Sequence, residues 1–167
     1  MSDPKKESLI IPPSGDGSFH SKDLSTSSFL VTGGAGFIGS HIAEYLLKNG
    51  AGKVRVLDNM ANGFKSNLAI LKQYSAFEFI EGDIRDIDIC QKACTGIDYV
   101  SHQAALGSVP RSIREPVYFN EVNVGGFVNV LTAAVDNKVK QFVYASSSSV
   151  YGDEPTLPKL EDRIGRC

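Results

Sequence analysis

No stretch of this chain holds the roughly 20 consecutive apolar residues that a bilayer-crossing helix needs, which argues against a membrane partner. The opening Met1-Ser2-Asp3-Pro4-Lys5-Lys6-Glu7 also lacks the apolar core of a signal peptide, so the expected location is the cytoplasm. An excess of one charge is missing too. Seventeen basic against 19 acidic side chains leave a net charge of −2, with no basic surplus to track a phosphate backbone. No nucleic-acid partner is expected. Cysteine is scarce: the three present are an odd number without metal-ligand spacing, so no metal site is expected. Cys90 and Cys94, four apart, would share one helix face as reduced packing thiols. These absences leave a chain of 167 residues, 42% of them apolar, enough for one α/β domain with a real core.

What is present centres on Phe29-Leu30-Val31-Thr32-Gly33-Gly34-Ala35-Gly36-Phe37-Ile38-Gly39-Ser40-His41. Strand-forming residues lead into a glycine turn, and Ile38, Ile42, Tyr45 and Leu46 follow at helical spacing. Glycines let the backbone turn tightly and present bare N–H groups at a helix start, where the positive dipole end favours a pyrophosphate. Gly34-x-Gly36-x-x-Gly39 satisfies the dinucleotide-binding fingerprint, and Gly33, Gly36 and Gly39 repeat every third position. Asp58, closing a second strand (54–57), lies about 20 residues beyond the turn, where this fold sets an acid against the adenosine ribose hydroxyls. A carboxylate there repels a 2′-phosphate, and no Arg follows it directly, so NAD is expected over NADP. As a bare strand-end residue, Asp58 would simply close a turn.

Residues 1–27, with Pro12-Pro13, Ser14-Gly15-Asp16-Gly17 and a serine-rich run, read as a flexible N-terminal tail in which Leu9-Ile10-Ile11 could pack on the domain. The rest, 28–167, reads as an incomplete Rossmann domain. After the first helix (37–48) and Asn49-Gly50 come a helix (65–73), a third strand (77–80) and a short helix (86–94). A fourth strand (98–101) precedes His102-Gln103-Ala104-Ala105, and a fifth (141–145) ends in Ser146-Ser147-Ser148-Ser149. Asp83 could accept from an adenine amino group, with Ile84 packed on the ring; helix capping is the alternative, for which Asp86 is better placed. His102 is assigned no chemistry. Gly107-Ser108-Val109-Pro110-Arg111-Ser112 reads as a donor-rich loop. Glu115-Pro116 opens a long helix whose buried face is expected at Val124, Phe127, Val128, Leu131, Ala134 and Val135, with Asn123 near its start able to reach a cofactor. The strand–helix alternation predicts a doubly wound parallel sheet of order 3-2-1-4-5, with ligand across the carboxyl ends of the strands.

Taken in order, Thr32-Gly33-Gly34-Ala35-Gly36-Phe37-Ile38-Gly39, Asp58-Asn59, Gly82-Asp83-Ile84-Arg85-Asp86, His102-Gln103-Ala104-Ala105 and Ser146-Ser147-Ser148-Ser149-Val150-Tyr151-Gly152 resemble the extended short-chain dehydrogenase/reductase family. More narrowly they are similar to its NAD-dependent epimerase/dehydratase members. With Leu106-Gly107-Ser108-Val109-Pro110-Arg111-Ser112-Ile113 added, the likeness is greatest to UDP-N-acetylglucosamine 4-epimerases. The resemblance covers 28–165 and implies a tightly held NAD that takes hydride from C4 of a UDP-sugar and returns it to the other face. It implies cofactor contacts at Gly33, Gly36, Phe37, Ile38, Gly39, Asp58, Asn59, Asn62, Asp83, Ile84, Gln103, Ala104, Ala105, Asn123 and Ser146. Gly107, Ser108 and Val109 would face the substrate, Ser148 and Ser149 its 2-acetamido group, and Ser147 would hydrogen-bond the reacting hydroxyl. A neutral serine can donate to a developing oxyanion without adding a like charge. The competing reading of the serine cluster is a polar strand end whose hydroxyls cap backbone. Complete members of this group are expected to be homodimers.

The resemblance also implies a catalytic Tyr-x-x-x-Lys, in which the Lys lowers the pKa of the Tyr that acts as base. No tyrosine in the chain has a Lys four places on, and the sequence ends at Cys167. The expectation is therefore a truncated N-terminal part without epimerase activity of its own. Two alternatives are a non-catalytic NAD-binding remnant and a sugar-nucleotide dehydratase or decarboxylase. Many dehydratases carry an acidic pair after the motif serine; Ser148 and Ser149 stand there, which favours the epimerase.

Overall fold

The computed structural model describes His20 and residues 22–166. Five parallel strands, β1 (Ser28–Thr32), β2 (Lys53–Asp58), β3 (Phe77–Glu81), β4 (Tyr99–His102) and β5 (Gln141–Tyr144), form one sheet of order β3-β2-β1-β4-β5. This is the expected doubly wound arrangement. Successive residues of a strand point to opposite faces, so each strand feeds two cores. Leu30, Leu57 and Val100 face α3 (Ile87–Cys94) and α6 (Phe127–Asp136); Val31, Val54 and Val56 face α1 (Phe37–Lys48) and α2 (Lys65–Leu71). Cys90 and Cys94 are fully buried in the first core, and burial pushes their thiols up to about 12 and about 11. Thiols so shifted stay protonated and unreactive at neutral pH, as packing residues should.

Arg55 of β2 ties the sheet to α3. Its guanidinium donates to the carbonyls of Ala93 (2.7 Å) and Thr95 (2.8 Å) at the helix end, where four carbonyls lack intrahelical partners. Its Nε reaches Glu78 on β3 at 2.8 Å. Arg55→Met keeps the aliphatic stem but orphans these carbonyls, so it is expected to cost about 2 kcal/mol of unfolding free energy in a denaturant titration. A loss within a few tenths of a kcal/mol would reduce the cap to a surface contact.

Two expectations need correction. The packed domain starts before Ser28: the carbonyl of Leu24 accepts from Ser27 (2.9 Å) and Gly52 (3.0 Å), and Leu24 joins the α1-side core. A Cβ on Gly52 would lie 2.2 Å from the Ser25 carbonyl, so the segment is seated closely. His20 Nδ1 lies 2.8 Å from the Tyr45 hydroxyl. The remainder of the expected tail, with Leu9-Ile10-Ile11, lies outside the described residues, as does Cys167.

The second correction concerns the helix expected from Glu115-Pro116. Helix already begins within the expected donor loop, at α4 (Val109–Arg114), where the Ser108 hydroxyl accepts from Arg111 N. Glu115 breaks it, α5 (Pro116–Asn120) restarts it, and a π-helical segment (Glu121–Gly126) precedes α6. Val122, Gly126, Val130, Ala133 and Ala134 point inward, whereas Val124, Val128 and Val135 are exposed and Leu131 lies at the surface. Of the expected face, Ala134 alone is fully inside, with Phe127 half-buried. Small residues make the true contact, and Gly126 lets Ile84 approach so closely that a Cβ would sit 2.5 Å from its side chain.

Candidate functional site

The carboxyl ends of β1, β2, β3 and β4 open on one shared cleft, open to solvent at its mouth. Gly33, Gly36, Asp58, Asn59, Asn62, Ile84, Gln103, Ala104 and Ala105 line it. The strand order reverses at β1, so the crevice sits where this topology splits its crossovers between the two faces.

The glycine turn is built for close approach. Gly33 has φ +67°, and a Cβ there would meet the backbone of Ala104 at 2.8 Å; one on Gly39 would meet the Gly33 carbonyl at 2.4 Å. The turn delivers α1 with Gly36 as an N-cap that offers no side-chain bond. Among the described residues the amides of Phe37 and Ile38 have no acceptor, and their side chains stand out into solvent. Those N–H groups and the helix dipole make a seat for an anion.

Asp58, itself buried, fastens the turn to the next loop. One carboxylate oxygen accepts from Ala35 N at 2.9 Å and the other from Met60 N at 2.8 Å. Each oxygen keeps a further lone-pair direction, enough for a pair of vicinal hydroxyls. The loop returns over the turn: Phe64 N donates to the Ala35 carbonyl at 3.0 Å, and a Cβ on Gly63 would fall 2.6 Å from Ala35 Cβ.

Asp83 is held differently from the expectation. Its carboxylate takes Arg85 Nε (3.0 Å), Arg85 Nη2 (2.9 Å), Arg85 N (2.9 Å) and Asn59 Nδ2 (2.9 Å). These donors, the Arg85 side chain foremost, hold its carboxyl down at about 2. Gly82 and Ile84 on either side line the cleft; Asp83 itself does not. Helix capping falls to Asp86, whose Oδ1 accepts from Asp88 N (2.9 Å) and Ile89 N (3.3 Å). Because the folded pKa of Asp83 lies below its ordinary 3.8, its network stabilises the fold above about pH 4 and the contribution fades towards pH 2. Acid unfolding monitored by circular dichroism should show this loss in the wild type and a smaller one in Asp83→Asn.

Asn123 has both amide ends on one residue: Oδ1 accepts from Leu106 N (2.8 Å) and Nδ2 donates to Leu106 O (3.0 Å). It therefore braces the segment after β4, and it is not part of the cleft lining. Gly107, Ser108 and Val109 lie at the exposed start of α4. Ser146 to Ser149 are exposed beyond β5, and none of these seven residues lines the cleft. The Ser147 hydroxyl accepts from Ser149 N at 3.1 Å and lies 3.0 Å from the Ser149 hydroxyl, capping the turn Ser148–Tyr151. The cleft also uses residues that the sequence reading passed over: Leu57, Ala61, Gly63, Gly82, Leu106, Tyr118 and Val122. Val122 and Ile84 share one core cluster, with Tyr118 packed against it. The Arg85 and Arg111 guanidinium carbons lie 5.0 and 5.4 Å from the Tyr118 ring centre.

A glycine turn at an uncapped helix start and a carboxylate at the next strand end define a nucleotide-binding α/β domain. Residues 29–165 match the NAD dependent epimerase/dehydratase family, and the chain belongs to it. It is 38% identical to a UDP-glucose 4-epimerase of Klebsiella pneumoniae over 136 residues, covering 79% of this chain and 97% of that one. Among solved structures it resembles a UDP-N-acetylglucosamine 4-epimerase from Methanobrevibacter ruminantium M1, solved in complex with UDP-N-acetylmuramic acid. There the TM-score is 0.73 and the identity 37%, over 82% of this chain and 43% of that one. A dTDP-glucose 4,6-dehydratase from Streptomyces venezuelae, solved with NAD bound, gives a TM-score of 0.71 at 40% identity, over 75% of this chain and 41% of that one. The chain spans 40–42% of the length of the other curated relatives compared.

Proposed function

We propose that this chain supplies the NAD-holding half of a UDP-sugar 4-epimerase, acting on UDP-N-acetylglucosamine or UDP-glucose and their C4 epimers. The observation that carries the reading is Asp58 closing β2 beside the open amides of Phe37 and Ile38. The residues fit the cofactor: the glycine turn admits a pyrophosphate, the Asp58 carboxylate has lone pairs for ribose hydroxyls, and Ile84 offers an apolar wall to a base. Bound NAD would supply hydride acceptance and return at the sugar C4. The chain's own contribution is to orient the dinucleotide through Gly33, Gly36, Asp58, Asn59 and the Gln103–Ala105 wall. Ser147 would leave its capping bond to donate to the reacting hydroxyl, and Ser108 and Ser149 would lie on the sugar side. A cytoplasmic setting and the likeness to the UDP-N-acetylglucosamine enzyme are part of the same proposal.

The 40% identity to a dehydratase favours a second reading, a sugar-nucleotide dehydratase. Against it, Ser148 and Ser149 stand where an acidic pair would be needed for proton transfer at C5 and C6. The two chemistries share the first oxidation and diverge afterwards, so cofactor binding alone does not separate them.

Isothermal titration of the 167-residue chain should detect NAD and a weaker response to NADP; absence of any NAD heat would defeat the proposal. The same chain, lacking Tyr-x-x-x-Lys, is expected to give negligible turnover of UDP-N-acetylglucosamine, and turnover at an ordinary enzymatic rate would refute that part. Val117, Val124, Val128 and Val135 form an exposed apolar stripe along α5, the π segment and α6, which supports pairing with a second copy. Sedimentation of the chain with and without Val128→Lys tests the pairing.

A further inference from the structure

Next to the cleft but not in its lining, Thr32 and His102 form a buried polar node. Thr32 is fully buried and His102 is 6% exposed. The Thr32 hydroxyl oxygen accepts from Ala104 N at 3.2 Å and from Gln103 N at 3.2 Å, the latter shared with the Thr32 carbonyl. Its third neighbour is His102 Nδ1 at 2.8 Å. A hydroxyl has two lone pairs and one proton. With two amides pointed at the oxygen, the arrangement that serves all three neighbours sends the hydroxyl proton to the ring: Nδ1 accepts and His102 carries its proton on Nε2.

We propose that His102 is a positioning residue: by taking the Thr32 hydroxyl proton it turns that hydroxyl's lone pairs onto the amides of Gln103 and Ala104, fixing the cleft wall against Gly33. The consequence for ligand binding rests on the NAD reading above; the geometry of the node does not. The wall needs such a fixture because Ala104 approaches Gly33 closely enough to exclude a Cβ. A shift of a few tenths of an ångström would narrow or open the cleft at its floor.

The surroundings keep the ring in the required state. Phe127 packs edge-on at 5.6 Å and Phe142 stacks at 6.0 Å between centroids. Burial, the one cause acting on it, pushes the His102 pKa down to about 4, so the ring is neutral at physiological pH. A proton on Nδ1 would face the hydroxyl oxygen with three donors and displace one of the wall amides.

Three single variants, one double variant and two spectroscopic measurements test this. Thr32→Val removes the acceptor without changing shape, Thr32→Ser restores it, and His102→Phe keeps the aromatic packing but removes the proton acceptor. Titration with NAD should show about 10-fold weaker binding for Thr32→Val and a several-fold loss for His102→Phe. The double variant should be no worse than Thr32→Val, because both act through one hydroxyl. Thr32→Ser should bind within about twofold of wild type. Amide exchange at Ala104 should quicken at least about 10-fold in Thr32→Val while Val100, in mid-strand, is unaffected. Nitrogen-15 spectra of the wild type should show Nδ1 unprotonated and Nε2 protonated. Fully additive losses in the double variant, unchanged Ala104 exchange, or a proton on Nδ1 would each overturn the proposal. If the wild type binds no NAD, the functional reading falls, and the exchange and nitrogen measurements still decide the role of His102.

Discussion

Gly33→Ala is expected to be among the most damaging single-methyl additions this domain can receive. Two separate penalties meet at the position. The backbone sits at φ +67°, where an L side chain costs about 1–2 kcal/mol. The added Cβ would also lie 2.8 Å from both Cα and N of Ala104, and backbone cannot yield as a flexible side chain can. Overpacking of that kind adds about 1–3 kcal/mol, for a total of about 2–5 kcal/mol. Gly50→Ala provides the control. It shares the left-handed backbone, at φ +76°, but has open space around the site, so it should lose only the conformational part. Denaturant unfolding of the two variants separates strain from collision, and equal losses would show that the approach of Ala104 carries no energy. Because the turn cannot relax without moving either Ala104 or the start of α1, NAD affinity in Gly33→Ala should fall by about 100-fold.

The sheet and the glycine turn were legible because their signals are local and periodic. Runs such as Val54-Arg55-Val56-Leu57 fix a strand by themselves, and alternation assigns Leu30 and Val31 to opposite cores. Asp58 is placed by counting from the turn and Ile84 by its position after the third strand, and both line the cleft. The departures from expectation have separate causes, each a contact that a local pattern does not reveal. The inward face of the helix runs through Val122, Gly126, Val130, Ala133 and Ala134 at ordinary helical spacing, but glycine and alanine mark it so weakly that the valines beside it read as the apolar stripe. Size misleads as well, since Gly126, Ala133 and Ala134 share the inward contact with Val122 and Val130 while Val124, Val128 and Val135 face outward. Asp83 and Asn123 were read as polar groups available to a ligand. Arg85 claims most of the first, and the backbone of Leu106 claims the second. Leu24 was absorbed into a serine-rich tail because composition says nothing about the close fit between Ser25 and Gly52. Tyr118 carries no local signal for the cleft, and its contact with Arg85 bridges 33 residues of chain.

Asp58 is where stability and recognition are expected to be lost together, and substitutions can tell the two apart. In Asp58→Ala the amides of Ala35 and Met60 lose their acceptor in a buried setting. Losing two charge-assisted bonds implies about 2–4 kcal/mol, discounted because Phe64 N and Asn67 Nδ2 still hold the loop on Ala35 O. Met60 sits at φ +60°, a left-handed conformation that its bond to Asp58 helps to maintain. Adding Met60→Gly to Asp58→Ala should therefore recover about 0.4–1 kcal/mol of stability, and recovery of cofactor binding should not accompany it. Asp58→Asn keeps the shape and one acceptor but turns an NH2 towards the other amide, so its stability loss should be smaller than that of Asp58→Ala. Its effect on recognition should be larger in kind. Without the negative charge a ribose 2′-phosphate is no longer repelled, so NAD should weaken by about 100-fold while NADP weakens less, and the preference between them narrows. Parallel titrations with both dinucleotides measure this. An Asp58→Asn protein that loses affinity for both in equal proportion would show that the carboxylate acts only as a fastener of the turn.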